Sequence, residues 1–471
     1  MALLLEPAGF GLLGLFGSIT DLAVSLGGLG VSNSAVRQIA EAAASEDFQR
    51  IATTLALVRR VNLALGLIGA ALLTLLARPV SLLTFGVDDY AGAITILSVA
   101  VFFRLAAAGE TALLQGMRLI GDVARANVLG ATLGMVASVP VIYLFRENGV
   151  APSLLLVAAG TAFAAWFYSR RLAVSAPTAG IFERKAEIVA LLRLGFAFMA
   201  SGFMTLGAAY VVRIVIVRHL NLDAAGLYAS AWTLGGLYVG YVLQAMGIDF
   251  YPRLVGAASD HPRCNQLVNE QAHVSMLLAG PGIVGTLIFA PLVVTALYSA
   301  KFAAAATLLR WICLGMALRV LTWPLGFVIV AKNRQAMFLA VDAAWTIANV
   351  SLTVALVPLL GLNGAGVAFF APYVLHGALV YPIARSLTGF RWSPENIWTG
   401  ALFLSTIAVA FLAPYVLPDL WAVALGGAIM ALSCFYSARR LMRVVTTERA
   451  PAKLRRLFEL LRSLWQHQAT R

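Results

Sequence analysis

Apolar residues fall in long unbroken runs along this chain rather than at alternate positions. Runs of about 18 to 25 residues recur from end to end, matching the roughly 20 residues a helix needs to cross the hydrocarbon of a bilayer. Thirteen spans are predicted, at 10–33, 62–84, 91–114, 126–145, 150–169, 194–217, 224–247, 274–297, 302–330, 336–359, 364–384, 398–416 and 419–437. A β-barrel is excluded, because its strands would alternate apolar and polar residues in segments of about 10. Pro281, Pro291 and Pro324 fall inside spans and are expected to bend them.

Composition agrees with the pattern. Of 471 residues, 61% are hydrophobic and 12% charged, about half the roughly 25% charge of a soluble domain. The predicted class is an all-α polytopic membrane protein. Three scattered cysteines, Cys264, Cys313 and Cys434, form no CxxC and offer neither a disulfide framework nor a metal site. The net charge of +13 would suggest nucleic acid in a soluble protein, but the loops account for it. One set of alternate loops, with the C-terminal tail, carries 26 Lys and Arg, whereas the other set carries Arg78, Arg146, Arg218 and Lys301 only. That asymmetry is the positive-inside signal, so the basic side is expected in the cytoplasm together with the C-terminus. No nucleic-acid partner is needed. In the tail, Leu454, Leu457, Leu461, Leu464 and Trp465 share a helical stripe flanked by Arg455, Arg456 and Arg462, the pattern of an interfacial helix on anionic membrane lipids.

The first half recurs in the second at one constant offset. Asn148-Gly149 maps onto Asn363-Gly364, Gly11-Leu12 onto Gly226-Leu227, and Arg104 onto Arg319. This predicts duplication of a six-helix unit, giving parallel repeats of the kind used by transporters. The span at 194–217 opens the second copy, and only MALLL corresponds to it in the first, so the chain is expected to begin one helix late. The expected organisation is an N-terminal bundle over 1–172, a cytoplasmic linker over 173–193, a C-terminal bundle over 194–388, two extra helices over 389–438, and a basic amphipathic tail over 439–471.

The opening LLLEPAGFGLLGLFGSITDLAVSLGGLGVSNSAVRQIAE, with LLARPVSLLTFG, ALLQGMRLIGDVARANVLGA and GLNGAGVAFFAPYV, resembles the O-antigen and polysaccharide flippase branch of the multidrug/oligosaccharidyl-lipid/polysaccharide exporter superfamily. The resemblance covers nearly the whole chain. It implies two pseudo-symmetric six-helix bundles around a cavity, with two further C-terminal helices. It also implies translocation of undecaprenyl-pyrophosphate-linked oligosaccharide across a bacterial inner membrane. Family members usually have twelve or fourteen helices. No cofactor is implied, and the chain is not expected to be an enzyme.

An ionisable side chain in hydrocarbon costs about 2.5 kcal/mol or more, so each one is a candidate for function. Arg104 and Arg319 lie deep in their spans and are repeat-related, and two guanidiniums on one cavity would suit a pyrophosphate. The bland alternative is an Arg paired inside its own bundle. Arg213 is a third substrate-binding candidate, near one end of its span, with snorkelling as its alternative. Arg310 lies nine residues before Arg319, half a helical turn away, and should face elsewhere. The carboxylates Asp21, Asp342 and Glu110 are candidates for coupling to H+ or Na+, or for gating; Asp21 and Asp342 equally suit the role of neutralising an Arg, and for Glu110 pairing with Arg104 or Arg118 is the blander account. GFGLLG at 9–14 matches a GxGxxG pattern, but with no preceding strand it reads as small residues for close helix packing. His273 and His376 stand alone without metal-ligand spacing and receive no role.

Three competing readings remain. A multidrug cation antiporter would want acidic rather than cationic groups in its cavity. A membrane glycosyltransferase or polymerase would need a catalytic loop with paired acids, which is missing from the loops here. A remnant without transport activity is the third.

Overall fold

In hydrocarbon there is no water to bond the backbone, so each N–H and C=O must be met within the segment, and a helix achieves this. The computed structural model describes residues 2–44, 48–172 and 185–444. Among these every regular element is helical, with sixteen α-helices and no strand. Two units are distinguished. The first comprises the chain up to Ser230 with Tyr298–Ala304 and Thr346–Ala368; the second comprises Ala231–Leu297, Ala305–Trp345 and the described residues from Phe369 onward.

The first unit holds α1 (Ala2–Gly27), α2 (Val31–Ala44), α3 (Phe48–Leu75), α4 (Ala77–Phe85), α5 (Ala91–Gly116), α6 (Ile120–Phe145), α7 (Val150–Ser169), α8 (Lys185–His219) and the start of α9 (Leu222–Gly256). Leu12, Phe16 and Ile19 of α1 share a core with Leu97, Val101 and Leu105 of α5. Near its start α1 is broken at Glu6, which adopts φ 57° and ψ 178°. The next residue is Pro7, whose ring disfavours helical geometry in the residue before it. At the break Pro7 meets α9, and there only glycine fits: a Cβ on Gly226 would lie 1.8 Å from the Pro7 carbonyl oxygen. Gly226→Ala is therefore expected to push α1 off α9 and to cost about 1–3 kcal/mol. Thermal unfolding in detergent measures this, and an unchanged midpoint would show that the crossing relaxes freely.

The second unit holds the remainder of α9, α10 (His261–Ile288), α11 (Ala290–Leu297), α12 (Ala305–Ala331), the start of α13 (Gln335–Leu360), most of α14 (Leu362–Thr388), α15 (Pro394–Val416) and α16 (Asp419–Val444). Helix α10 is the hub, packed by α12, α15 and α16. Asp260 caps it by accepting from the Arg263 amide, and Ser393 caps α15 by accepting from the Asn396 amide, with Pro394 in the first turn. A polar clasp ties the two helices together. Asn269 Oδ1 accepts from the Ser393 amide at 2.8 Å and from Asn396 Nδ2 at 2.9 Å, while His273 Nδ1 lies 3.0 Å from Asn396 Oδ1. His273 thus has a structural place that its isolation in the sequence did not suggest.

The duplication recurs in the helix bounds. Moved by the offset that carries Arg104 onto Arg319, α6 becomes 335–360, the bounds of α13, and α5 becomes 306–331, within one residue of α12.

Eleven stretches among the described residues are long and apolar enough to cross a membrane, against thirteen expected. One of the eleven, Ile120–Ser169, contains both α6 and α7, joined by a single 3-10 turn at Arg146–Gly149. The other difference is α9, whose Gly, Tyr, Ser and Thr content keeps it out of the eleven. Two spans move furthest. The one expected at 62–84 lies at Ile51–Leu75, and the one expected at 274–297 lies at His261–Ile288. The second is cut at Phe289, two residues before Pro291. Helix α2 forms where a loop was expected and buries Val31, Ala35, Ile39 and Ala42 at helical spacing. Outside the spans, Arg78 Nη2 lies 2.8 Å from Asp88 and holds its carboxyl below the usual range. Part of the expected linker, 173–184, and the expected interfacial tail from 445 lie outside the described residues.

Candidate functional site

In the first unit, Asp21 and Arg104 come from α1 and α5. Arg104 Nη1 donates to Asp21 Oδ1 at 2.6 Å, with the side chains 38% and 43% exposed for Arg104 and Asp21. The pair neutralises both charges. Removing one partner strands the other, so Asp21→Asn is expected to cost about 2.5 kcal/mol, and adding Arg104→Gln should restore most of that. Unfolding in nanodiscs of the single and double variants reads the difference; equal destabilisation by both would show that the pairing contributes nothing.

Arg213 of α8 donates from Nη1 to the Ala209 carbonyl at 3.2 Å, and its Nε is buried without a partner among the described residues. It faces α1 at Gly14, where a Cβ would sit 3.9 Å from Nε, an ordinary contact. Arg218 turns elsewhere, donating to the Leu82 carbonyl beside Gly86. Glu110 is buried on α5, bound by Arg59 Nε at 2.6 Å and Arg59 Nη2 at 2.7 Å, with Ser169 also donating to it. Its cation is Arg59 of α3. The sequence offered Arg104 or Arg118 as that partner.

The second unit assembles a different group. Arg319 lies midway along α12, close enough to act electrostatically on Asp342 of α13 and on Tyr373 and His376 of α14. Tyr373 is an uncharged neighbour near enough to feel the guanidinium. Among the described residues Arg319 makes no ion pair. The duplication supplies a contrast. The repeat equivalent of Asp21 is Gly236, so the carboxylate near Arg319 is instead Asp342, where the first copy has Asn127, and it forms no ion pair with the arginine. Two members of this group, Trp345 and His376, were passed over in the sequence. Asp342 and Trp345 are three residues apart on α13, as are Tyr373 and His376 on α14, so each pair shares a helix face. That spacing was the available signal.

Arg310 faces away from this group, as the half-turn from Arg319 requires. Its Nε donates to the Leu287 carbonyl, and it borders a cavity of about 390 Å³ lined by Phe289, Pro291, Ala410 and Pro414. Among the described residues no cluster of three or more His, Cys, Asp or Glu is placed to hold a metal ion.

Comparison with known proteins agrees with this arrangement of helices. The chain is 23% identical over 395 residues to the lipid III flippase of Escherichia coli (strain K12), covering 80% of this chain and 91% of the relative. Its fold is similar to that of a multidrug resistance MATE family transporter of the MOP superfamily in an inward-facing conformation. The TM-score is 0.65 at 17% identity, covering 82% of this chain and 94% of the other. It is similar also to the lipid II flippase MurJ in an inward closed conformation, with TM-score 0.64 at 12% identity, covering 92% of this chain and 97% of the other. These relatives are flippases and transporters rather than enzymes. Residues 1–307 match the model of the polysaccharide biosynthesis protein family. An all-helical, multi-pass membrane chain with a MOP-type fold, this protein belongs to that polysaccharide biosynthesis family.

Proposed function

We propose that this protein flips undecaprenyl-pyrophosphate-linked oligosaccharide units across the bacterial inner membrane for O-antigen or exopolysaccharide synthesis, with its basic loops and C-terminus in the cytoplasm. The observation that carries the reading is Arg319, an arginine at mid-helix in a membrane span that has no ion pair among the described residues. Holding a cation at that depth is costly, and an arginine kept there without a carboxylate bonded to it suits an anionic cargo. A planar fork of N–H donors matches phosphate oxygens bidentately. The E. coli relative, a lipid III flippase, supports a lipid-linked cargo, and the family supports polysaccharide synthesis as its destination. Arg104 and Arg213 are further candidates for the headgroup, and Asp21, Asp342 and Glu110 for H+ or Na+ coupling of alternating access. Arg104 already carries Asp21, so it would reach the substrate only by exchanging partners. The expected regions 1–172, 194–388 and 389–438 serve as the two bundles and the added helices in this scheme.

The test is flipping in proteoliposomes. A fluorescent polyprenyl-pyrophosphate-linked oligosaccharide is expected to cross to the inner leaflet faster than in empty vesicles, and the same vesicles should not accumulate a cationic dye. Dye transport without lipid movement would replace the proposal with the cation antiporter. Inertness to both substrates in a folded, reconstituted protein would leave only a remnant without transport.

A further inference from the structure

We infer that Trp345 and His376 complete, with Arg319 and Tyr373, a subsite for phosphoryl oxygens inside the second unit. The inference rests on the proposed reading of Arg319 and adds residues to the same anion site. The Tyr373 ring is flanked by Trp345 at 5.3 Å, by Phe369 at 5.2 Å and by His376 at 6.2 Å between centroids. The aromatic surfaces therefore occupy one another, and stacking against a sugar is not what this group offers. What it offers is hydrogen bonds. Trp345 Nε1 and His376 Nδ1 are both buried and have no partner among the described residues. An indole N–H can only donate, and an imidazole donates from Nδ1 in the tautomer that carries its proton there. Buried polar groups are otherwise almost always paired, because leaving water without a new partner is costly. Two unmet nitrogens around Tyr373, near a guanidinium that makes no ion pair among the described residues, give a group rich in donors. That is the chemistry of an oxyanion site.

The duplication supplies an independent comparison. Carried back by the repeat offset, Asp342, Trp345, Tyr373 and His376 correspond to Asn127, Gly130, Ala158 and Thr161. In the first unit those positions form a closed seam between α6 and α7: a Cβ on Gly130 would lie 3.0 Å from Thr161 Cα. Packing α6-type and α7-type helices together thus requires neither an indole nor an imidazole. The second copy carries tryptophan in place of the glycine and histidine in place of the threonine at the same seam, and leaves their nitrogens unbonded. Core packing alone gives no reason for both differences.

The decisive variant is Trp345→Phe, which keeps an aromatic ring against Tyr373 and removes the N–H; His376→Leu is its companion. In detergent, inorganic pyrophosphate is expected to raise the unfolding temperature of the wild-type protein. Trp345→Phe should unfold at the wild-type temperature without ligand and lose most of the pyrophosphate effect. In proteoliposomes each variant should raise the half-saturating concentration of the lipid-linked oligosaccharide about tenfold, the size of one hydrogen bond to a charged group, with little change in maximal rate. No pyrophosphate effect in the wild type, or an equal effect in Trp345→Phe, would overturn the subsite. Loss of the pyrophosphate effect with unchanged half-saturation would keep the oxyanion chemistry and assign it to another phosphate, such as a phospholipid headgroup. Arg319→Ala separates this inference from the proposal it rests on. If that variant loses transport while both companions transport normally, the arginine reading survives and the subsite falls.

Discussion

Replacing Arg319 with alanine is expected to lower flipping of the lipid-linked oligosaccharide about a hundredfold while the protein still folds. Truncating one partner of a desolvated, hydrogen-bonded charge pair costs about 2–5 kcal/mol, and about 3 kcal/mol is roughly a hundredfold at 25 °C. Folding should be spared because Arg319 makes no ion pair among the described residues, so its removal breaks none. The repeat-related Arg104 is the useful contrast. Its guanidinium is held by Asp21 at 2.6 Å, so Arg104→Ala strands a carboxylate and mixes lost stability with lost transport. Arg319→Lys should fall between the wild type and Arg319→Ala, since an ammonium keeps the charge but loses the bidentate fork. Flipping rates from quantified, reconstituted protein check the series, and wild-type flipping by Arg319→Ala would remove this residue from the mechanism.

The helical membrane architecture was legible because hydrocarbon imposes one demand on every span, and long apolar runs answer it in composition alone. Boundaries were less legible wherever a tertiary partner changed what a residue costs. Arg59 and Asn62 read as the loop before a span and its first turn, yet both lie well inside α3, where Glu110 neutralises the first and Ser32 accepts from the second. Helix α2 is too short and too polar to register as a span; its apolar face is visible only once something is known to cover it. Helix α9 was read in the sequence as the span at 224–247, although its composition falls short of what the other spans show.

The site was legible in its charges and not in its neutral groups. Cost in the membrane marks Arg319 and Asp342 from the sequence, whatever surrounds them. Trp345 and His376 carry no such mark, since a tryptophan in a span is ordinary and a lone histidine has no ligand spacing. Their i, i+3 partners, Asp342 and Tyr373, were the clue, but reading it requires knowing that α13 and α14 bring those faces to one ring. The repeat offset held a further clue. Comparing the two copies position by position shows Asp21 against Gly236 and Gly130 against Trp345, so the copies agree in their helices and differ in their polar groups. Duplication fixes a fold twice; divergence between the copies is where function is to be sought.

Glu110→Gln is expected to destabilise the protein by about 3 kcal/mol, the lower end of the range for breaking a buried ion pair from one side, since the arginine is part-exposed. Arg59 binds both carboxylate oxygens, and the Glu110 and Arg59 side chains are 11% and 39% exposed. Removing the charge leaves a guanidinium within a membrane helix with a neutral amide for a partner, and the Ser169 hydroxyl loses its ionic acceptor as well. Three helices, α3, α5 and α7, lose their common tie. Adding Arg59→Gln should recover much of the loss, since two neutral amides can bond each other and no charge is stranded. Recovery in the double variant distinguishes a fastening from a coupling site. A carboxylate that carried the driving ion would, when neutralised, leave a folded protein whose flipping no longer responds to a proton or sodium gradient, and Arg59→Gln would not restore that response. Unfolding temperature and gradient-dependent flipping, measured on the same single and double variants, therefore give opposite patterns for the two roles, and the bidentate geometry favours the fastening.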